Sequence, residues 1–234
     1  MNYLLSQWKI ITYLLCVTIT KKAVLKGEKI MNVVELQGKI QNIYTGRNVT
    51  IVTLFIKGAD NNFPQVVFNA SERGLVENYK KNDFVNIVGS IKVRGKRTED
   101  GKLYFEQFIR GYLICPIGNE MSEKFKMKLG GDYEYKNEVL LNGTITSVNE
   151  KNGILNFLVL PEDEKFNVLA FNYVSNLDRI KSKFTVGTNV CMKCEIQTAR
   201  KEKENQKAKF FQNLVIKYMS IPSEDTDFIT ELYL

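Results

Sequence analysis

Apolar and polar residues alternate from Val34 onward. Val34, Leu36, Gly38 and Ile40 are separated by Glu35, Gln37 and Lys39, and this period of two marks a strand with one buried face. Residues 48–57 are long and β-branched. Val49, Ile51, Thr53 and Phe55 share one face, and Thr50, Val52, Leu54 and Ile56 share the other. Phe55, in step with Val49 and Ile51, is expected in the core. Residues 65–69 form a short strand. Residues 71–80 read as a short helix that Ser71 can cap. Val85, Ile87, Gly89, Ile91 and Val93 line one face of a fourth strand. Residues 94–102 make a charged hairpin turned at Glu99-Asp100-Gly101, and residues 103–114 return as a fifth strand. Five strands with a helix between the third and fourth describe a small barrel of the OB kind.

The same order recurs. Val139-Leu-Leu-Asn-Gly-Thr-Ile145 matches Val34-Glu-Leu-Gln-Gly-Lys-Ile40 at an offset of 105, and residues 187–196 match 82–91 at the same offset. Phe166-Asn-Val-Leu-Ala-Phe-Asn172 lines up with Phe63-Pro-Gln-Val-Val-Phe-Asn69, and both copies end in proline, at Pro116 and Pro222. Such internal similarity points to a repeated unit. The expected fold is all-β, two tandem five-stranded OB barrels over residues 31–118 and 137–222, each with a short helix between strands 3 and 4. A polar linker spans 119–136, and a short acidic and apolar tail spans 223–234.

Residues 1–30 stand apart. The apolar run at 10–19 is too short for a bilayer, which needs about 20 residues, and it lacks the basic flank of a signal peptide. Lys-Gly-Glu-Lys-Ile before Met31 is what a purine-rich ribosome-binding site would read as if translated. The leader is therefore expected to be an upstream translation artefact, with Met31 as the start. No stable membrane association is expected.

The 44% hydrophobic and 25% charged residues make the chain globular rather than disordered. Histidine is absent, which excludes Cys/His zinc fingers, Ser-His-Asp triads and His-ligated metals. No paired acidic motif, P-loop or activated nucleophile is present, so neither an enzyme nor a cofactor or metal is expected. Cys191-x-x-Cys194 has no partner pair. Its odd spacing sends the two thiols to opposite faces of a strand, and packing is its expected role.

The net charge of +7 suggests an acidic partner. Residues 1–30 hold five Lys against one Glu, 31–121 hold twelve basic against nine acidic residues, and 122–234 hold sixteen of each. Once the leader is set aside, the excess is confined to the first repeat. An OB barrel binds a single strand with aromatic platforms and with cations that follow the backbone. The candidates in the first repeat are Arg47, Lys57, Phe63, Lys92, Arg94, Lys96, Arg97, Tyr104 and Arg110. Lys92, Arg94 and Lys96 alternate, so they line one side of the hairpin arm. The second repeat offers Phe166, Lys193, Arg200, Lys201 and Phe210. A strand phenylalanine is more often core than platform. Phe68 and Phe171 lie in apolar runs and are expected inside, whereas Phe63, Tyr104 and Phe166 border turns and are expected outside. The mixed-sign hairpin tips read equally well as ordinary solvated loops.

Met31-Asn-Val-Val-Glu-Leu-Gln-Gly-Lys-Ile40, Glu77-Asn-Tyr-Lys-Lys-Asn-Asp-Phe-Val-Asn-Ile-Val-Gly-Ser-Ile91 and the arm at Arg94–Gly101 resemble the bacterial and phage single-stranded DNA-binding protein family over residues 31–116. The likeness is weaker over 137–222, where Cys194 stands in place of a glycine. The resemblance implies sequence-nonspecific binding of single-stranded DNA in replication, recombination or repair, in the cytoplasm. Family members carry one barrel and form tetramers, so two barrels imply a homodimer or a monomer. The acidic tail is similar to the family's docking peptide for replication or recombination proteins, without its aspartate run or its Pro-Phe end. An RNA binder and an OB-fold interaction subunit of a replication or mobile-element complex are the alternatives.

Overall fold

The structure, a computed structural model, describes residues 32–57, 62–98, 100–117, 136–162, 164–172, 177–203 and 206–222. The leader, the tail and nearly all of the linker lie outside them. The strands are β1 (Asn32–Thr45), β2 (Val49–Phe55), β3 (Gln65–Asn69), β4 (Phe84–Arg97), β5 (Leu103–Pro116), β6 (Asn137–Lys151), β7 (Ile154–Pro161), β8 (Val168–Asn172), β9 (Asn189–Lys203) and β10 (Gln206–Ser220). A 3-10 helix at Ala70–Leu75 follows β3, and the α-helix α1 (Leu177–Lys183) follows β8. The described chain is otherwise almost all strand. No helix among the described residues is long and apolar enough to cross a membrane.

The chain divides into two units. The first contains Glu35–Gly89 and Arg110–Asn137, and the second contains Met31–Val34, Ser90–Ile109 and Glu138–Leu234, as far as these are described. The β4–β5 arm therefore belongs with the second unit. In the first, β1 pairs with β2, β2 with β3, β3 with β5, β5 with β4 and β4 with β1, so the pairing returns to its start. In the second the cycle runs β6–β7–β8–β10–β9–β6, with β8 and β10 parallel.

The core face of β2 is Val52 and Leu54, with Thr50 beside them and Ile56 just past the strand's end. It meets Ile40, Val66 and Phe68, all fully buried. This corrects the expectation for Phe55. Its face is the outer one and is only half-buried, because alternation shows that two faces differ but not which turns inward when both are apolar.

A bulge between Ile40 and Asn42 shifts the register of β1 on β2, and the same irregularity lies between Ile145 and Ser147 on β6. The Ile40 amide donates to Asp83 O and Ile40 O accepts from Asn82 N, and 105 residues later Ile145 does the same with Thr188 and Gly187. Asn82 and Gly187 both have positive φ, 77° and 89°. A Cβ on Gly38 would lie 2.7 Å from Phe55 O, and one on Gly143 would lie 2.4 Å from Leu160 O. Only glycine lets the paired strands cross this closely.

The first helix is shorter than its expected span of 71–80. It covers six residues and is entered from Asn69 rather than Ser71. The Asn69 amide donates to Glu72 Oε2 at 2.8 Å, which seats Glu72 in the third position of a capping box. Gly74 then weakens further propagation. In the second unit, Ile180 of α1 and the adjacent Phe184 are buried.

Candidate nucleic-acid interface

In the first unit the outer face is read from the register. Tyr44 pairs with Ile51, and Ile51 with Val67; Asn42 pairs with Thr53, and Thr53 with Gln65; Lys39 pairs with Phe55. Cross-strand partners share a face, so Tyr44, Ile51, Phe55 and Val67 are turned outward together. The Phe63 ring stands 5.5 Å from Phe55 at 43° and is 38% exposed. On β5, a Cβ on Gly111 would meet Phe68 at 2.4 Å, so Gly111 faces the core and its neighbours Arg110 and Tyr112 face out. The Arg110 guanidinium lies 5.7 Å from the Tyr112 ring centre, within cation–π range. Tyr44 and Tyr112 are 58% and 44% exposed.

Arg110 also pairs with Glu72 at 2.7 Å. Burial pushes the Glu72 carboxyl up, but the Arg110 hydrogen bond, the Asn69 amide and the Arg110 charge together bring it below its ordinary value. Arg47 is exposed in the β1–β2 turn, where Arg73 Nη2 donates to the carbonyls of Gly46 and Arg47 at 2.6 and 3.2 Å. Lys57 is exposed just after β2.

The arm and its cations belong to the second unit. Lys92 is ion-paired with Glu164. Arg94 and Lys96 both contact Glu106, and Arg94 lies over the Phe108 ring at 4.9 Å. Arg97 Nη1 donates to Gly101 O at 3.2 Å across the arm's turn. Tyr104 is exposed, as is Phe105, whose ring is 5.5 Å from that of Phe166. The Gln107 amide bonds both backbone groups of Leu169, accepting from its N–H at 2.9 Å and donating to its carbonyl at 3.4 Å. Lys193 is exposed and pairs with Glu138 at 2.5 Å. Arg200 and Lys201 lie on β9 and Phe210 on β10, with Phe210 opposite Arg200; their side chains fall outside the described part.

Two aromatic residues on the outer face, Tyr44 and Tyr112, are absent from the sequence-derived candidates. Tyr44 is in phase with Ile40, which places it in the core until the bulge reverses the alternation. For Tyr112 a signal existed: Gly111 between two large residues marks the inward position. Phe68 is fully buried, as expected, whereas Phe171 shares the outer, half-buried face of β8 with Leu169, because both faces of that strand are apolar. Burial alone pushes the Cys194 thiol up to about 12 and raises that of half-buried Cys191, which disfavours the reactive thiolate. Among the described residues no group of three or more Cys, Asp or Glu is placed to hold a metal.

No protein-family model matches the chain, and no curated protein matches it in sequence. Solved structures do. The wild-type single-stranded DNA-binding protein of Thermus aquaticus matches 85% of this chain and 96% of its own, at 13% identity and a TM-score of 0.57. A deletion mutant of that protein matches 84% and 96%, at 14% identity and a TM-score of 0.56. The Plasmodium falciparum single-stranded DNA-binding protein, solved with single-stranded DNA, overlaps 39% of this chain and 99% of its own, at 17% identity and a TM-score of 0.30. At such identities the likeness is one of fold, and the fold is the all-β, OB-type architecture of single-stranded DNA-binding proteins that the resemblance over residues 31–116 implied.

Proposed function

We propose that the chain binds single-stranded DNA without sequence specificity and protects it during replication, recombination or repair. It does so as a non-enzyme in the cytoplasm, on two tandem five-stranded OB barrels at 31–118 and 137–222. The observation that carries this reading is the outer face of the first unit, where Tyr44, Phe55, Phe63 and Tyr112 stand among Ile51 and Val67 with Arg110 alongside. Aromatic faces stack on any base, and a cation beside them takes the phosphate, which gives affinity without sequence readout. The hydrogen bonds, bulges and glycine contacts that recur at an offset of 105 support the tandem arrangement. Arg47 and Lys57 add cations to the first unit, and in the second unit the arm offers its own set, Arg94, Lys96, Arg97 and Tyr104. Lys92 and Lys193 are paired with the less exposed carboxylates Glu164 and Glu138, so their share in binding is smaller. The acidic and apolar sequence at 223–234 suits either a reduced docking peptide for replication or recombination proteins or a segment that packs onto a barrel through Phe228, Leu232 and Tyr233.

The test is fluorescence anisotropy with labelled oligo-dT, duplex DNA and RNA of equal length across a salt series. Tight binding to oligo-dT that weakens with salt is expected. Absence of binding at low salt would transfer the case to the second reading, an interaction subunit, which the exposed Leu103, Tyr104 and Phe105 favour. Light scattering separates a monomer from a homodimer.

A further inference from the structure

We propose that Glu106 is an internal stand-in for a DNA phosphate: it holds Arg94 and Lys96 on the arm until a backbone phosphate replaces it, and so sets the affinity and salt dependence of the site. This rests on the single-stranded DNA reading above. Arg94 and Lys96 are two apart on β4 and project to the same side. Glu106 comes from β5, the other strand of the arm. Arg94 Nε donates to Glu106 Oε2 at 2.7 Å, and Arg94 Nη2 and Lys96 Nζ both reach the same oxygen at 2.5 Å. Two cations therefore converge on one anionic oxygen, as they would on a phosphodiester, and the trio keeps a net positive charge that attracts one.

Other carboxylates also pair with candidate cations, but their settings differ. Glu72, opposite Arg110, accepts the Asn69 amide as well and belongs to the helix cap. The side chains of Glu164 and Glu138 are 13% and 19% exposed, beside Lys92 and Lys193. Glu106 is 37% exposed, with Arg94 at 49% and Lys96 at 36%. Ion pairs this open contribute little to the fold. They exchange readily with solvent ions, and by the same token with phosphate. Arg94 stays placed after such an exchange because its guanidinium lies over Phe108.

Glu106→Gln keeps the shape and removes the competing charge. Its affinity for labelled oligo-dT at low salt should rise about threefold to tenfold, the scale of a change in one or two charge pairs. The log–log salt slope should steepen, by up to about 0.7 for each phosphate gained. Adding Arg94→Ala and Lys96→Ala to this variant should abolish the gain. Glu106→Thr, which keeps a good strand former, is run in parallel, and thermal melts verify that each variant folds. If wild type binds and both single variants bind no better across the salt series, Glu106 is not a phosphate stand-in. A gain that survives loss of Arg94 and Lys96 also overturns it, because the effect is then a general one of net charge. If wild type itself fails to bind oligo-dT, the DNA reading falls, and this inference with it.

Discussion

Tyr44 reaches the outer face through one extra residue in β1. Truncating it should remove a stacking platform without touching the core. Tyr44→Ala is expected to weaken oligo-dT binding by about 1–3 kcal/mol and to leave the melting temperature nearly unchanged; anisotropy and a thermal melt together check this. Glu72 behaves in the opposite sense. Its carboxyl is held below the ordinary glutamate value of 4.5, so its contribution to stability is complete above that pH and is lost as pH falls through the lowered folded value. Melting temperature measured from pH 7 down to pH 3 should therefore drop less steeply in Glu72→Gln than in wild type, from a lower starting point. The two residues also differ in how far the chain betrays them. Glu72 sits where a capping carboxylate belongs, three residues after Asn69. Tyr44 carries no local mark, since the bulge that displaces it is a property of the strand pair.

The β-strands are held at two kinds of close contact, and each is open to test. Gly143 brings β6 against the β7 backbone. Gly143→Ala should cost about 1–3 kcal/mol by overpacking, and more than Gly38→Ala, because its added carbon would meet backbone at a shorter distance. Urea titrations of both variants measure the difference. Gln107 replaces a strand partner, bonding both backbone groups of Leu169. Gln107→Ala should lower stability by about 1–3 kcal/mol and speed amide exchange at Leu169 beyond that of its β8 neighbours. The ten strands were legible because period-two alternation needs no partner to be seen. β2 at 49–55 and β3 at 65–69 fall within the segments that the residue pattern places as strands. The start of the first helix is ambiguous because Asn69 and Ser71 are both good caps, and only the reach of Glu72 to the Asn69 amide decides between them; its end falls short of residue 80 because Gly74 weakens propagation.

Charge acts over the whole chain. Beyond the leader the excess is three positive charges, all within residues 31–121, yet Lys92, Arg94, Lys96 and Arg110 each face a carboxylate. The cations a DNA backbone would meet are thus countered locally, and the salt slope for oligo-dT should be correspondingly shallow, about 0.7 per phosphate contacted. A slope worth two or three contacts is expected for wild type, measured between 50 and 300 mM salt; a slope of zero would remove phosphate contacts from the mechanism altogether. Alternation was enough to specify an all-β chain, and the 105-residue offset to expect a repeated plan, because each is a property of residue order alone. The outward face of β2, the exposure of Tyr44 and Tyr112, and the pairing of arm cations with Glu106 and Glu164 depended on register and on which segments meet in space. Those are fixed only when distant strands pack, and a one-residue bulge is enough to reverse them.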